Sequence, residues 1–328
     1  MKIQEVAKRA NVSVATVSRT LNHDPRVSPA TAERVWVAVK ELKYIPNFQA
    51  RSLVSGKSRL IGLIVSDITN PFFPELVKGF EDVAVEHGYD LIVASTGYDE
   101  ERMAGCVRRM IERKVDAVAI MTSEMKQPLT EQLERRALPM VFLDLGQPGK
   151  LVSNIKVNYQ VGIELAVQHL LGLGHQRIAF ISGPEHLKSA LVRRSAFLQC
   201  LAGRDQRYVE QGDHKIEGGF AAMERLLQVE PRPTAVLASN DLTAVGALRA
   251  IHHAGLRVPD DISVIGFDDI ILAQFTDPPL TTVRLSRTEI ARCSFRALLT
   301  AIEGREEGAE VVVDTSLVVR ESTGKAPV

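Results

Sequence analysis

The sequence predicts an α/β protein: a small helical head, followed by a body of two lobes, each built on a doubly wound parallel sheet. Three observations carry that expectation. Residues 3–22 hold two short amphipathic helical patterns joined by a tight turn. From Leu60 onward, continuous apolar runs alternate with amphipathic helical stretches, and the series occurs twice. Charge is segregated as well: the chain of 328 residues has 40 Lys/Arg and 40 Asp/Glu, yet residues 1–59 hold 11 of the basic and only 4 of the acidic side chains. A basic head on an acidic body is the electrostatic footprint of a phosphate-binding module whose body is kept off the duplex.

In the head, Val6, Ala7 and Ala10 give the first helix an apolar face, and Val17 with Leu21 repeats that spacing on the second. The turn falls at Asn11 to Ser13, and Ser13 is placed to cap the second helix by accepting from the backbone N–H three residues on. This is a helix-turn-helix. It leaves Val14, Ala15, Thr16, Ser18 and Arg19 on the outer side near the helix start, where a recognition helix meets DNA, with Ser13 placed to cap and contact DNA together. A third helix is expected over Ser28 to Leu42, turning Val35, Trp36, Val39 and Leu42 inward, so Trp36 is read as core. Asn47 to Val54 has a marginal helical pattern of about two turns, too short to persist alone in water.

In the body, Leu60 to Val65 reads as a buried strand, followed by a helix from Phe73 to His87, a strand over Asp90 to Ala94, a helix through Met110, and strands at Ala117 to Met121 and Met140 to Leu143. The second series has strands at Ile178 to Ile181, Ala235 to Ala238 and Ser263 to Phe267, with helices around 163–171, 189–201, 218–227 and 242–254. Continuous apolar strands alternating with helices imply parallel sheets covered on both faces. A last helix over Arg287 to Ile302 is expected to cross back to the first lobe, and 311–319 to supply closing strands. Two such lobes leave a ligand cleft between the carboxyl ends of their strands.

Composition narrows the function class further. Cys106, Cys200 and Cys293 are far apart and lack zinc-ligand spacing, so they read as reduced thiols and no metal or cofactor is expected. There is no signal-peptide pattern and no run approaching the ~20 apolar residues of a membrane span, so a cytoplasmic protein with no membrane partner is expected. G-x-G-x-x-G, the P-loop, G-x-S-x-G and H-E-x-x-H are all missing from the sequence, which leaves an enzyme without a cofactor seat or a nucleophile.

Seven segments in order resemble the LacI/GalR family of bacterial transcriptional regulators over nearly the whole chain. They are Val12-Ser13-Val14-Ala15-Thr16-Val17-Ser18-Arg19, Ala50-Arg51-Ser52-Leu53, Asn70-Pro71-Phe72-Phe73, Leu173-Gly174-His175-Gln176-Arg177-Ile178-Ala179-Phe180, Asn240-Asp241, Gly266-Phe267-Asp268-Asp269 and Pro279-Leu280-Thr281-Thr282-Val283. The resemblance implies a homodimer that binds a near-palindromic operator in double-stranded DNA. It also implies a body similar to periplasmic sugar-binding proteins that senses a small molecule. Residues 1–45 form the DNA-binding domain in this reading, and 46–59 a hinge helix and linker. Residues 60–328 form the effector-binding and dimerisation domain, with a first lobe of about 60–158 and 287–308 and a second of about 159–286 and 309–322.

Within that frame Arg19 is the best base reader, because a guanidinium pairs bidentately with guanine. Val14 and Ala15 are suited to thymine methyls, and Thr16, Ser18 and Asn22 to phosphates. Leu53 is expected to wedge into a minor-groove step, with Ala50 against the sugar edges. Lys2, Arg26 and Lys57 read as diffuse electrostatics. For the cleft, Asn70, Phe72 and Phe73 fall where related sugar binders place an amide and two rings, Asp144 ends a strand of the first lobe, and Arg193, Asn240 and Asp268 match the second lobe's polar contact positions. Donors and acceptors of this kind suit the vicinal hydroxyls of a sugar or sugar derivative. Departures from the family pattern are Asn158, where Asp is common, Leu285, where a polar residue is frequent, and His214, where sugar-responsive members often place an aromatic ring. His214 leaves an anionic ligand open. Asp241 and Asp269 read as turn or cap residues. The expected function is a ligand-controlled repressor, and the alternative is the solute-binding component of a sugar transporter, against which the basic head argues.

Overall fold

The computed structural model describes residues 2–21, 24–44, 57–122, 125–145, 147–201, 208–304 and 307–327. The chain divides into two compact units, Met1–Arg59 and Leu60–Val328.

The first unit contains α1 (Ile3–Ala10), α2 (Val14–Leu21) and α3 (Pro29–Glu41). Asn11, at φ 53°, ends α1 in the left-handed region. The Ser13 hydroxyl accepts from the Thr16 N–H at 3.1 Å and so caps α2. Val6, Ala7, Ala10, Val17, Leu21, Val35 and Ala38 form the core of this unit, with Val39 and Leu42 packed against it. Trp36 corrects the sequence reading: its side chain is 41% exposed, and Ala38 occupies the inward position instead. The helical period explains the difference, since Val35, Ala38 and Val39 share a face that Trp36 flanks. The hinge segment at Asn47 to Val54 lies outside the described residues.

The body holds two six-stranded sheets. The first is ordered β11-β5-β4-β3-β1-β2, from β1 (Leu60–Val65), β2 (Asp90–Ser95), β3 (Ala117–Met121), β4 (Met140–Leu143), β5 (Val152–Val157) and β11 (Glu310–Val313). Its described helices are α4 (Phe72–Glu86), α5 (Glu100–Glu112) and α6 (Gln127–Glu134). The second is ordered β12-β10-β9-β8-β6-β7, from β6 (Ile178–Ser182), β7 (Val209–Gln211), β8 (Ala235–Ala238), β9 (Ser263–Asp268), β10 (Thr281–Leu285) and β12 (Thr315–Val318). With it go α7 (Tyr159–Gly172), α8 (Lys188–Cys200), α9 (Ile216–Leu227) and α10 (Asp241–His253). All pairs are parallel except β10 with β12. Fully buried β3, β6, β8 and β9 account for the unbroken apolar runs of the sequence.

Three crossings join the lobes: β5 to α7, β10 to α11 (Arg287–Glu303), and β11 to β12. Helix α11 packs on α4, where Gly79 lets the Ala291 methyl approach within 3.2 Å of the space a side chain would need. The lobe boundary expected at 309 needs correction, because β11 pairs in parallel with β5 of the first sheet, Glu310 opposite Asn154. Only after Asp314 does the chain enter the second sheet, with Thr315 opposite Leu285. The Leu173-Gly174-His175 segment proves to be a clasp. The buried His175 ring meets the hydroxyls of Thr234 and Ser263 at 3.0 Å each and the Gly324 carbonyl at 3.1 Å, tying the C-terminal segment to the second lobe.

Candidate functional sites

On the first unit, α2 presents Ser13, Val14, Ala15 and Arg19 as exposed residues, with Thr16 and Ser18 half-buried beside them. Val17, Thr20 and Leu21 face inward. The local cause is the amphipathic spacing together with the cap, since Ser13 Oγ also meets Thr16 Oγ1 at 2.9 Å. Thr16 and Ser13 therefore hold each other in place at the helix start. Arg19 stands free of any acidic partner within salt-bridge reach among the described residues, whereas Arg26 is paired with Asp24 at 2.7 Å. Asn22, Ala50 and Leu53 lie outside the described residues.

In the body, every one of the eight residues expected in the cleft lines a single cavity of about 90 Å³ between the lobes: Asn70, Phe72, Phe73, Asp144, Arg193, His214, Asn240 and Asp268. All but Arg193 arrive from the end of a strand, the loop after it or the start of a helix; Arg193 projects from the middle of α8. Asn70 follows β1, and its Oδ1 accepts from the Phe72 N–H at 3.0 Å, opening α4. Phe72 and Phe73 are then both buried, edge to face at 5.2 Å. Asn240 caps α10, accepting from the Thr243 N–H at 2.9 Å, while its Nδ2 donates to the His214 carbonyl at 3.0 Å.

Arg193 is the centre of the second lobe's wall. It is 6% exposed, and its guanidinium lies between the rings of Phe267, 4.2 Å from the centroid, and Tyr159, at 4.7 Å. It donates to the Ser239 carbonyl and stands 3.7 Å from Asp268 Oδ1, too far for a good hydrogen bond. Its Nε is buried with no partner, and so is Nε2 of His214. Such buried polar atoms without a partner are costly. The Asp268 carboxyl is pushed up to about 6 by burial, against the pull of Arg193 and Arg287. Burial, with Arg193 and His186 nearby, pushes His214 down to about 3, so it enters the cavity as neutral imidazole. Its ring lies over Gly183: a Cβ there would come within 1.9 Å of His214 Nε2.

Asp144 has a different role from a free acceptor. One carboxylate oxygen takes the Val157 N–H at 2.8 Å and the other takes the Tyr159 hydroxyl at 2.6 Å. Burial nevertheless raises its pKa above the usual range. Its carbonyl accepts from Lys188 Nζ of the other lobe at 3.0 Å. Tyr159 and Lys188 are among the lining residues that sequence reasoning missed. Nothing in the sequence signalled Tyr159, because β5, the strand it follows, has no readable apolar run.

Asp241 and Asp269 stay out of the cavity. Asp241, fully buried, accepts from Thr282 Oγ1 at 2.5 Å and the Ile270 N–H at 2.8 Å, and burial with neighbouring Asp268 raises it well above the usual range. Asp269 pairs with Arg284 at 2.6 Å and Arg320 at 2.7 Å. Asn158 sits on the crossover, donating to Asp314 at 2.9 Å. No group of His, Cys, Asp and Glu able to hold a metal ion occurs among the described residues. Nor is any described helix long and apolar enough to cross a membrane.

The chain matches the model of bacterial regulatory proteins of the lacI family over residues 2–47, and that of a periplasmic binding protein-like domain over 167–323. It is 36% identical to the HTH-type transcriptional repressor PurR of Vibrio atlanticus, covering 98% of each chain. It is 38% identical to the ribose operon repressor of Escherichia coli K12, covering 90% of this chain and 92% of the relative. Among solved structures, a lac repressor dimer bound to operator and the anti-inducer ONPF superposes with a TM-score of 0.88 at 31% identity, covering 99% of both chains. Repressors of this family bind operator DNA and small-molecule effectors and form dimers; they are not enzymes. With a capped recognition helix at one end and a buried polar cleft in the body, the chain belongs to the LacI family of bacterial regulators, as a ligand-controlled DNA-binding repressor.

Proposed function

We propose that the effector is a small, neutral, polyhydroxylated molecule of monosaccharide size, a sugar or sugar derivative, held between the lobes. The observation that carries this reading is the convergence of the eight residues on one cavity whose ionic lining balances: Arg193 and Lys188 against Asp268 and Asp144, with His214 neutral. Arg193 Nε and the Asn240 amide offer donors, Asp268 offers an acceptor, and Phe72 with Phe73 offers an apolar wall for a ring face. Vicinal hydroxyls, which both give and accept, match that set. A cavity of about 90 Å³ has room for about three water-sized groups at the ~30 Å³ a water takes in the liquid, which limits the occupant to a small molecule. The relative named for the ribose operon is in keeping with this class.

In the same reading the protein works in the cytoplasm on a near-palindromic operator, with Ser13, Val14, Ala15, Thr16, Ser18, Arg19 and Asn22 at the major groove. Ala50 and Leu53 of the hinge then meet the minor groove, and effector binding shifts the first lobes so that the hinge helices dock or melt. A switch of that size needs a differential affinity of roughly 5 kcal/mol. The test has two parts. Sheared genomic DNA is passed over the full-length protein and the retained fragments sequenced, a two-fold symmetric site being the expected result. Thermal melting is then followed with D-ribose, other neutral pentoses and hexoses, and their phosphates. A shift with a neutral monosaccharide supports the reading; a shift confined to phosphates overturns it.

A further inference from the structure

We propose that the Glu75–Arg287 ion pair positions the Asp268 loop against the first lobe and, through that placement, sets operator affinity. This deepens the reading of Asp268 as an effector contact and rests on it. Neither residue lines the effector cavity. Arg287, the first residue of α11, uses its whole guanidinium at the junction of the lobes. Nη1 donates to the carbonyls of Asp268 and, at 3.1 Å, Leu285. Nη2 donates to the Asp269 carbonyl at 2.8 Å and to Glu75 Oε2 at 2.7 Å. The other oxygen of Glu75 accepts from the Ile271 N–H at 3.0 Å.

One carboxylate on α4 of the first lobe thus grips a second-lobe loop twice, once directly and once through a planar fork. Glu75 stands two and three residues after Phe73 and Phe72 on the same helix, so the helix that lines the cavity also carries the grip. The grip closes on a strained backbone that only its surroundings hold in place, since Asp268 has φ 110° and Asp269 has φ 56°. The Asp269 carboxylate is pinned from its own lobe by Arg284 and Arg320. A displacement of Asp268 is therefore transmitted to its carbonyl, to the rigid guanidinium and to α4, rather than absorbed locally. With side chains only 15% and 30% exposed, the pair is less screened than a surface bridge. Lysine would keep the charge at 287 and lose the fork that joins four acceptors.

The experiment is a double-mutant cycle on the full-length protein, with Glu75→Gln, Arg287→Lys and the double variant. The probe is a short duplex carrying the genomic site that the wild-type protein retains. Operator dissociation constants are measured without added sugar, alongside hydrogen exchange over 268–272. Each single variant is expected to change the operator constant by about tenfold or more, which corresponds to about 1.4 kcal/mol. The double variant should change it no more than the stronger single, and exchange over 268–272 should quicken in each. Operator constants within about twofold of wild type, or effects that add in the double variant, overturn the proposal. Glu75→Gln keeps an acceptor for the Ile271 N–H on a partly exposed side chain, so it tests the link even if Arg287→Lys fails to fold. Failure of the effector reading is separate: it would show as unchanged monosaccharide binding in Asp268→Asn, with the cycle untouched.

Discussion

Replacing Asp268 by Asn should stabilise the ligand-free protein at neutral pH while weakening its hold on the effector. The carboxyl is pushed from the ordinary 3.8 up to about 6, because burial outweighs the attraction of Arg193 and Arg287. For a group raised on folding, the linked stability is fully present below the unfolded value of 3.8 and is lost as pH rises through 6. At pH 7 the ionised side chain therefore costs the fold about 3 kcal/mol, and at pH 5 about half that, taking 1.36 kcal/mol per unit. Asn mimics the protonated form in shape and charge. Wild type and Asp268→Asn are compared by urea unfolding at pH 5, 6 and 7, where other titrating groups largely cancel in the difference. The variant should be the more stable by up to about 3 kcal/mol at pH 7, the gap narrowing by about 1.3 kcal/mol on going to pH 5. A variant less stable than wild type, or a gap that does not change with pH, would refute the argument that the site holds an under-compensated carboxylate.

Arg193→Met should destabilise by about 3–5 kcal/mol, because it strands the buried Asp268 charge, and Asp268→Asn in the same chain should recover much of the loss; chemical unfolding reads both. Gly183→Ala should abolish the melting shift caused by whichever monosaccharide stabilises wild type, because the new methyl occupies the place of His214 Nε2 and drives the ring into the cavity. Ser13→Ala should cost about 1 kcal/mol of local stability at α2 and weaken operator binding, as measured by fluorescence anisotropy. Leu53→Ala should lower operator affinity and leave monosaccharide binding unchanged; a large loss of sugar binding would remove Leu53 from the hinge role.

The elements most legible in the sequence were those whose burial leaves no ambiguity of period. Strands β3, β4 and β8 begin and end at the residues that bound their apolar runs. Strand β5 was not legible, since Ser153, Asn154 and Lys156 interrupt its pattern, although Ser153 and Asn154 are buried. Three-residue β7 is too short to impose a period, and α6 buries only Leu133, so it shows no apolar face to read. The allocation of β11 and β12 to different lobes was hidden for another reason: one residue, Asp314, separates them, and only the pairing partners tell them apart. For the cleft, strand-end positions together with the family resemblance located the side chains. What each one does there was not legible. Asp144 looks in sequence like a free acceptor, yet both oxygens are taken by Val157 and Tyr159.

Backbone geometry explains why that distinction matters. Tyr98, Asp144, His214 and Asp268 all line the cavity, and all four hold positive φ, at 61°, 58°, 64° and 110°, without being glycine. Each such residue costs of order 1–3 kcal/mol and persists only where its surroundings overdetermine it. The surroundings here are specific: Asp144 is held by Val157, Tyr159 and Lys188, His214 by the Asn240 amide, and Asp268 by Arg287. Lys188 and Arg287 tie together segments from both lobes, so movement of one lobe against the other would loosen the bonds that keep the cavity in its strained form. A ligand that bonds to Arg193, Asn240 and Asp268 would add to that set and favour one lobe arrangement over others. The same bonds that shape the pocket are then the ones that its occupancy would reinforce.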